Sequence, residues 1–207
     1  MNVIRWYLCG FRDVFLLGIY QNIHQFVMLL IKEKNDTKVF CICEGKTGTN
    51  SIYRALNILG YRSVSMPYWK ILKKGDIKNF IKKLKKCKYD AFSIYPLGHM
   101  DLYKEIYEEF SDSKFILTVR DSKSYAKSYE SFHKKCPWKK ITTESVRQKV
   151  KEFEEYNKNV KDFFNDKPSQ LLMINVTEEK QWEKLCNFLN KPVPTKSFPH
   201  KNKGRYK

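Results

Sequence analysis

The chain has 207 residues, of which 42% are hydrophobic and 15% aromatic, and a net charge of +18. Length and apolar content exclude a disordered chain and suit one domain with a real core. The charge turns away cationic partners and favours anionic ones: nucleic acid, an anionic membrane, or phosphorylated and sulfated small molecules.

Residues 1–36 come first, as a predicted N-terminal helical segment. Positions 14–31, VFLLGIYQNIHQFVMLLI, are apolar but carry Gln21, Asn22, His24 and Gln25. A membrane-spanning helix needs ~20 mostly apolar residues, and this segment falls short. Two readings stand: a helix packed on the domain, or an amphipathic segment lying on a membrane with Arg5, Arg12 and Lys32 at its edge.

The main domain is expected over residues 37–207. Lys38 opens an apolar run, Val39 to Cys43, that suits a buried parallel strand. A polar turn, Glu44 to Asn50, leads into a helix in which Ile52, Ala55, Leu56 and Leu59 recur at helical spacing, with Gly60 as its stop. Ser63 to Ser65 predicts a short strand. Residues 70–88 are lysine-rich, and Ile77, Phe80, Ile81 and Leu84 predict one surface helix with a solvated lysine face. Asp90 to Ile94 reads as a buried strand, 96–100 as a loop, and 101–110 as a helix. Lys114 to Asp121 is the clearest strand; it ends in Arg120 and Asp121. Helices are predicted over 122–132 and 143–164, the second turning Val146, Val150, Phe153, Val160 and Phe164 inward. Leu171 to Val176 reads as another buried strand. Thr177 caps a last helix whose inner face is Trp182, Leu185, Cys186 and Leu189. The segments 134–141 and 191–207 read as irregular. Strands alternate with helices throughout, which predicts an α/β fold: a three-layer sandwich around a mainly parallel sheet.

Six cysteines stand at 9, 41, 43, 87, 136 and 186, without a CxxC pair, so zinc spacing is absent. Cys41 and Cys43 share a strand face and read as buried thiols of a reducing compartment, which places the protein in the cytoplasm. Residues 1–36 would add peripheral membrane contact.

The turn between the first strand and helix has the anatomy of an anion site. Backbone N–H groups at a helix start point at the ligand, and the helix dipole and Lys46 add positive charge. The nucleotide triphosphatase loop G-x-x-x-x-G-K-[ST] requires glycine at position 40, which is Phe40. The second charged feature, Arg120, leaves the carboxyl end of its strand just as the turn does. In an open parallel sheet that edge is where ligands bind.

Gly45-Lys46-Thr47-Gly48-Thr49-Asn50-Ser51 resembles the 5′-phosphosulfate loop, K-[ST]-G-T-[TS], of sulfotransferases that use 3′-phosphoadenosine-5′-phosphosulfate (PAPS). Asn50 departs from the usual Thr or Ser, and its amide can still donate. The family's second element, a strand ending in Arg with Ser eight residues on, is matched by Arg120 and Ser128. The segment LLMINVTEEKQWEKLCNFLNKPVPTKSFPHKN is similar to the closing segment of a compact branch of these enzymes. The resemblance covers roughly 38–202. It implies that Gly45 to Ser51 cradle the phosphosulfate, that Arg120 and Ser128 hold the 3′-phosphate, and that Lys46 stabilises the leaving phosphate. The implied reaction is in-line sulfuryl transfer to a hydroxyl or amine of a carbohydrate, lipid or small molecule, releasing adenosine 3′,5′-bisphosphate without a metal. The carboxylate that this branch often carries two residues before a proline is missing, since Ile94 precedes Tyr95-Pro96. His99, Asp101 and Glu44 are the candidate bases. Acceptor specificity is expected in the loops 62–75, 95–101 and 133–145. Tyr68 and Trp69 read as core packing or as adenine stackers; Lys201, Lys203 and Arg205 read as a basic tail able to close over the 3′-phosphate. Two other classes compete: a basic nucleic-acid-binding module, against which stands the lack of any recognition motif, and a nucleotide kinase or NTPase with a degenerate loop.

Overall fold

The computed structural model describes residues 35, 37–66, 68–96, 98–134 and 141–200, with backbone only at 69. The N-terminal segment expected over 1–36, apart from Asn35, and the basic residues 201–207 therefore lie outside the described residues, as does most of the loop expected over 134–141.

Five strands form one all-parallel sheet: β1 (Val39–Ile42), β2 (Ser63–Ser65), β3 (Ala91–Ile94), β4 (Lys114–Thr118) and β5 (Leu171–Ile174), in the order β2-β3-β1-β4-β5. Among the described residues seven helices accompany them: α1 (Thr49–Ile58), α2 (Trp69–Lys73), α3 (Ile77–Lys86), α4 (Leu102–Glu109), α5 (Ser122–Lys134), α6 (Thr143–Phe163) and α7 (Gln181–Leu189). Alternation along β1 splits the core in two. Phe40 and Ile42 join the side chains of α2, α3, α4 and α6 on one face. Val39, Cys41 and Cys43 join those of α1 and α7 on the other. The result is the expected three-layer sandwich.

Each face has its own packing chemistry. The first is aromatic: Phe40 stacks on Phe92 at 5.0 Å, and Phe115 meets Phe164 at 4.9 Å. The second uses aliphatic side chains and thiols. Burial pushes the Cys43 thiol up to about 11, although its hydrogen bond from Thr118 acts the other way, and burial likewise holds the Cys41 thiol well above its ordinary value. These cysteines are protonated packing groups, as the sequence suggested.

Three expectations are corrected. The lysine-rich stretch 70–88 is two helices, because Gly75 adopts φ +78, a conformation that glycine takes at little cost. Asp76 then caps α3 by accepting from the Asn79 N–H at 3.1 Å. The strand at 171–174 is an edge strand rather than a buried one; Met173 is 38% exposed. Thr177 does not cap α7, which starts at Gln181 after Lys180; the Thr177 hydroxyl donates to Asn175 Oδ1 at 2.8 Å instead.

The topology positions the site. The chain builds β1, β2 and β3 on one side, then crosses β1 to add β4 and β5 on the other. That reversal, between β1 and β4, opens a crevice at the carboxyl ends of the strands. The opposite edge is closed by Asp90, which is fully buried. It accepts from the Arg62 N–H at 2.6 Å and from the Asn35 N–H at 3.0 Å.

Candidate active site

The turn after β1 is wound tightly. Lys46 has φ 72 and Gly48 φ 108, so two of its residues are left-handed. Such a sequence turns successive N–H groups toward one concavity, the form of an anion nest. Holding a non-glycine residue like Lys46 there costs about 1–2 kcal/mol, a strain characteristic of functional loops. Gly48 has no such freedom to lose: a Cβ at this position would lie 2.2 Å from Val176 Cγ2. Its carbonyl accepts from the Ser51 N–H at 2.8 Å and the Ile52 N–H at 3.2 Å. The first N–H groups of α1, at Thr49 and Asn50, have no partner within the helix and point out of its start.

Thr47 anchors the turn from below. It is buried; its hydroxyl donates to the Glu44 carbonyl at 2.6 Å and lies 2.5 Å from Thr118 Oγ1 at the end of β4. Thr47 can therefore offer a ligand its backbone but not its hydroxyl. Thr49 Oγ1 is 3.2 Å from the Tyr95 hydroxyl, and Ser51 is buried while Asn50 is exposed.

Arg120 crosses the crevice. Its Nη1 donates to the Lys46 carbonyl at 3.1 Å, which joins the two halves of the site across the point where the sheet reverses. Its Nε is buried and has no hydrogen-bond partner among the described residues. A buried guanidinium nitrogen left in that state is costly unless a ligand completes it. The neighbouring charges have other partners: Asp121 accepts from the Ser124 N–H at 2.9 Å at the start of α5, and Glu130 pairs with Lys134 at 2.8 Å. Ser128 stands half-buried two turns into the same helix.

Beside the turn lies a cleft of about 690 Å³, walled by the turn, α5 and α6. Tyr129, Phe132 and His133 of α5 line one side, and Gln148, Lys149 and Glu152 of α6 another. The Lys46 ammonium sits 4.2 Å from the centre of the Phe132 ring. Lys149 Nζ is 3.3 Å from both Glu44 Oε1 and Glu152 Oε2. Burial pushes the Lys149 ammonium down, but the two carboxylates outweigh it and hold its pKa above the ordinary lysine range.

Comparison with known families settles the class. The model described as "sulfotransferase domain" matches residues 38–148 and 132–206, nearly the whole described chain. The chain belongs to the sulfotransferase domain family. No curated protein matches it. As a sulfotransferase domain it is a transferase, and its all-parallel sheet with a turn after β1 is the architecture expected of one. No group of three or more His, Cys, Asp or Glu side chains suited to a metal occurs among the described residues. Among them, too, no helix is long and apolar enough to cross a membrane; residues 14–31 lie outside that set.

The fold brings Gly45, Lys46, Arg120 and Glu44 to one edge but leaves two expected residues apart. His99 Nε2 donates to the Leu72 carbonyl at 2.9 Å, beside Gly75, and does not line the cleft. Asp101 is exposed and paired with Lys104 at 2.7 Å. Tyr68 packs against the aromatic core. Conversely, Tyr129, Phe132, His133, Lys149 and Glu152 were not singled out from sequence. A signal existed for the first group: Tyr125, Tyr129, Phe132 and His133 recur at helical spacing toward one face. Of the three loops expected to read the acceptor, those at 95–101 and 133–145 contribute to the cleft walls.

Proposed function

We propose that residues 37–207 form a sulfotransferase domain that takes its sulfuryl group from PAPS and passes it to a hydroxyl or amine of a small-molecule, carbohydrate or lipid acceptor in the cleft beside Lys46. The observation that carries this reading is the join between Arg120 and the turn: a half-buried guanidinium bonded to the Lys46 carbonyl, with its buried Nε left over. PAPS carries phosphate at both ends of its adenosine. A wound turn with Lys46 suits the phosphosulfate end, and a fork-shaped guanidinium, with the Ser128 hydroxyl from α5 as the second donor, suits the 3′-phosphate. Gly45, Thr47, Gly48, Thr49, Asn50 and Ser51 supply the cradle, Thr47 through its backbone alone.

In the proposed reaction the acceptor oxygen bonds to sulfur while the bond from sulfur to the bridging phosphate oxygen breaks. The electron pair leaves with adenosine 3′,5′-bisphosphate, and Lys46 moves from the Phe132 ring to the developing charge. Catalysis is then positioning and charge stabilisation, as in phosphoryl transfer. This requires no metal. Residues 1–36 would lie beyond this domain.

A thermal-shift comparison tests the reading. Adenosine 3′,5′-bisphosphate with EDTA should raise Tm, and more than ATP with magnesium does. Stabilisation by ATP with magnesium alone favours a nucleotide kinase or NTPase; salt-sensitive binding of oligonucleotides without the bisphosphate favours a nucleic-acid module.

A further inference from the structure

The proposed reaction needs a group that takes the acceptor's proton, and the cleft holds one that sequence reasoning did not consider. We infer that His133, through Nε2, is the general base that receives the proton of an alcohol or phenol acceptor; the inference rests on the PAPS reading above.

Position comes first. His133 lines the cleft together with Lys46 and Glu44. Its ring meets the Phe132 ring edge-on at 5.0 Å, and the Lys46 ammonium lies over that same Phe132 ring at 4.2 Å. The imidazole and the ammonium that faces the leaving group thus share one aromatic neighbour. An acceptor lodged between them would have a base on one side and the sulfur on the other.

The tautomer is decided by chemistry. His133 Nδ1 is 2.9 Å from the Tyr129 carbonyl, one helical turn back. A carbonyl oxygen only accepts, so Nδ1 must carry the proton, and in the neutral ring the lone pair is then on Nε2. Tyr129, 4.2 Å from the imidazole, and Phe132 both pack against the ring. A base with a fixed tautomer and a fixed ring is preorganised for proton abstraction.

The competitors in the cleft are engaged. Glu44 is paired with Lys149, and Glu152 shares the same ammonium. Lys149 is held protonated by these carboxylates and has no lone pair to offer. The Tyr125 phenol lines the cleft, but burial pushes its pKa well up. His99 and Asp101 are directed elsewhere. The proton balance is simple: the acceptor O–H proton passes to Nε2 as the oxygen–sulfur bond forms, the bisphosphate leaves with the electrons of the broken sulfur–oxygen bond, and the imidazolium releases its proton to solvent.

The test uses sulfur-labelled PAPS with water and 2-naphthol as acceptors, and calorimetry with adenosine 3′,5′-bisphosphate. His133→Ala should bind the bisphosphate as wild type does, yet transfer label about 10²-fold or more slowly, with added imidazole restoring a large part of the loss. A structural role would not give imidazole rescue. Independently of turnover, long-range ¹H–¹⁵N correlation in the wild-type bisphosphate complex should report a protonated Nδ1 and a bare Nε2 for His133. An undiminished transfer rate in His133→Ala, or the opposite tautomer in the complex, overturns the inference and leaves the donor reading intact. If the wild-type domain does not bind the bisphosphate at all, the donor reading falls and His133 falls with it.

Discussion

Single residues in the turn divide into those that shape it and those that face out of it. Gly48 shapes it, and its replacement tests the winding directly. Gly48→Ala combines a left-handed φ with a Cβ 2.2 Å from Val176, so it should cost about 2–4 kcal/mol, read as a fall in Tm, and abolish bisphosphate binding. Gly45→Ala is its control: nothing lies within 4 Å of that Cβ, and Tm should hardly move. Lys149 offers a second residue-scale test. Its ammonium has two carboxylate partners, Glu44 being mostly buried, so Lys149→Met should cost about 1–3 kcal/mol at neutral pH by stranding Glu44. The pH dependence has a definite sign. Since the folded pKa of Lys149 is raised, its contribution is complete below the ordinary lysine value, about 10.4, and is lost only as pH rises through the higher folded value. Denaturant midpoints for wild type and Lys149→Met should therefore differ by a constant amount from pH 7 to 9 and converge above pH ~10.5.

At the scale of elements, α6 is the strut that holds the cleft against the sheet. Its Tyr156 hydroxyl donates to the Ile42 carbonyl at 2.9 Å, at the end of β1 just before the turn. Tyr156→Phe removes that buried hydrogen bond and should cost about 0.5–1.5 kcal/mol in urea unfolding. Tyr125 of α5 stacks on Phe153 of α6 at 4.0 Å, which fixes the two cleft walls to each other. Much of this was legible in the sequence and some of it was not. β1, β3, β4 and α1 announced themselves because their apolar runs are local and periodic, and Arg120 stood at a strand end for the same reason. Gly75 was passed over because the lysine pattern continues across it, while only the backbone turn reveals the break. His99 was chosen for its nearness in sequence to β3, but its side chain is taken by Leu72, a contact 27 residues away that no local pattern encodes. His133 was passed over because it follows the last residue of the predicted helix, and its use depends on α5 packing beside a turn more than 80 residues earlier.

For the molecule as a whole, topology does the work that no single motif does. Crossing from β3 over β1 to β4 puts the two charged strand ends, Lys46 after β1 and Arg120 after β4, on either side of one crevice. In the proposed function, the chain's net charge of +18 would draw an anionic nucleotide toward that edge. In the proposed function Arg120 reads the phosphate at the far end of the donor from Lys46. Calorimetry in EDTA with adenosine 3′,5′-bisphosphate and with adenosine 5′-monophosphate isolates it. Wild type should prefer the bisphosphate by roughly 10- to 100-fold, the worth of a charge-assisted hydrogen-bonded pair of about 1.5–3 kcal/mol. Arg120→Ala should keep its affinity for the monophosphate and lose the preference. Equal affinity of the wild-type domain for both nucleotides, or an undiminished preference in Arg120→Ala, would rule out that role for Arg120.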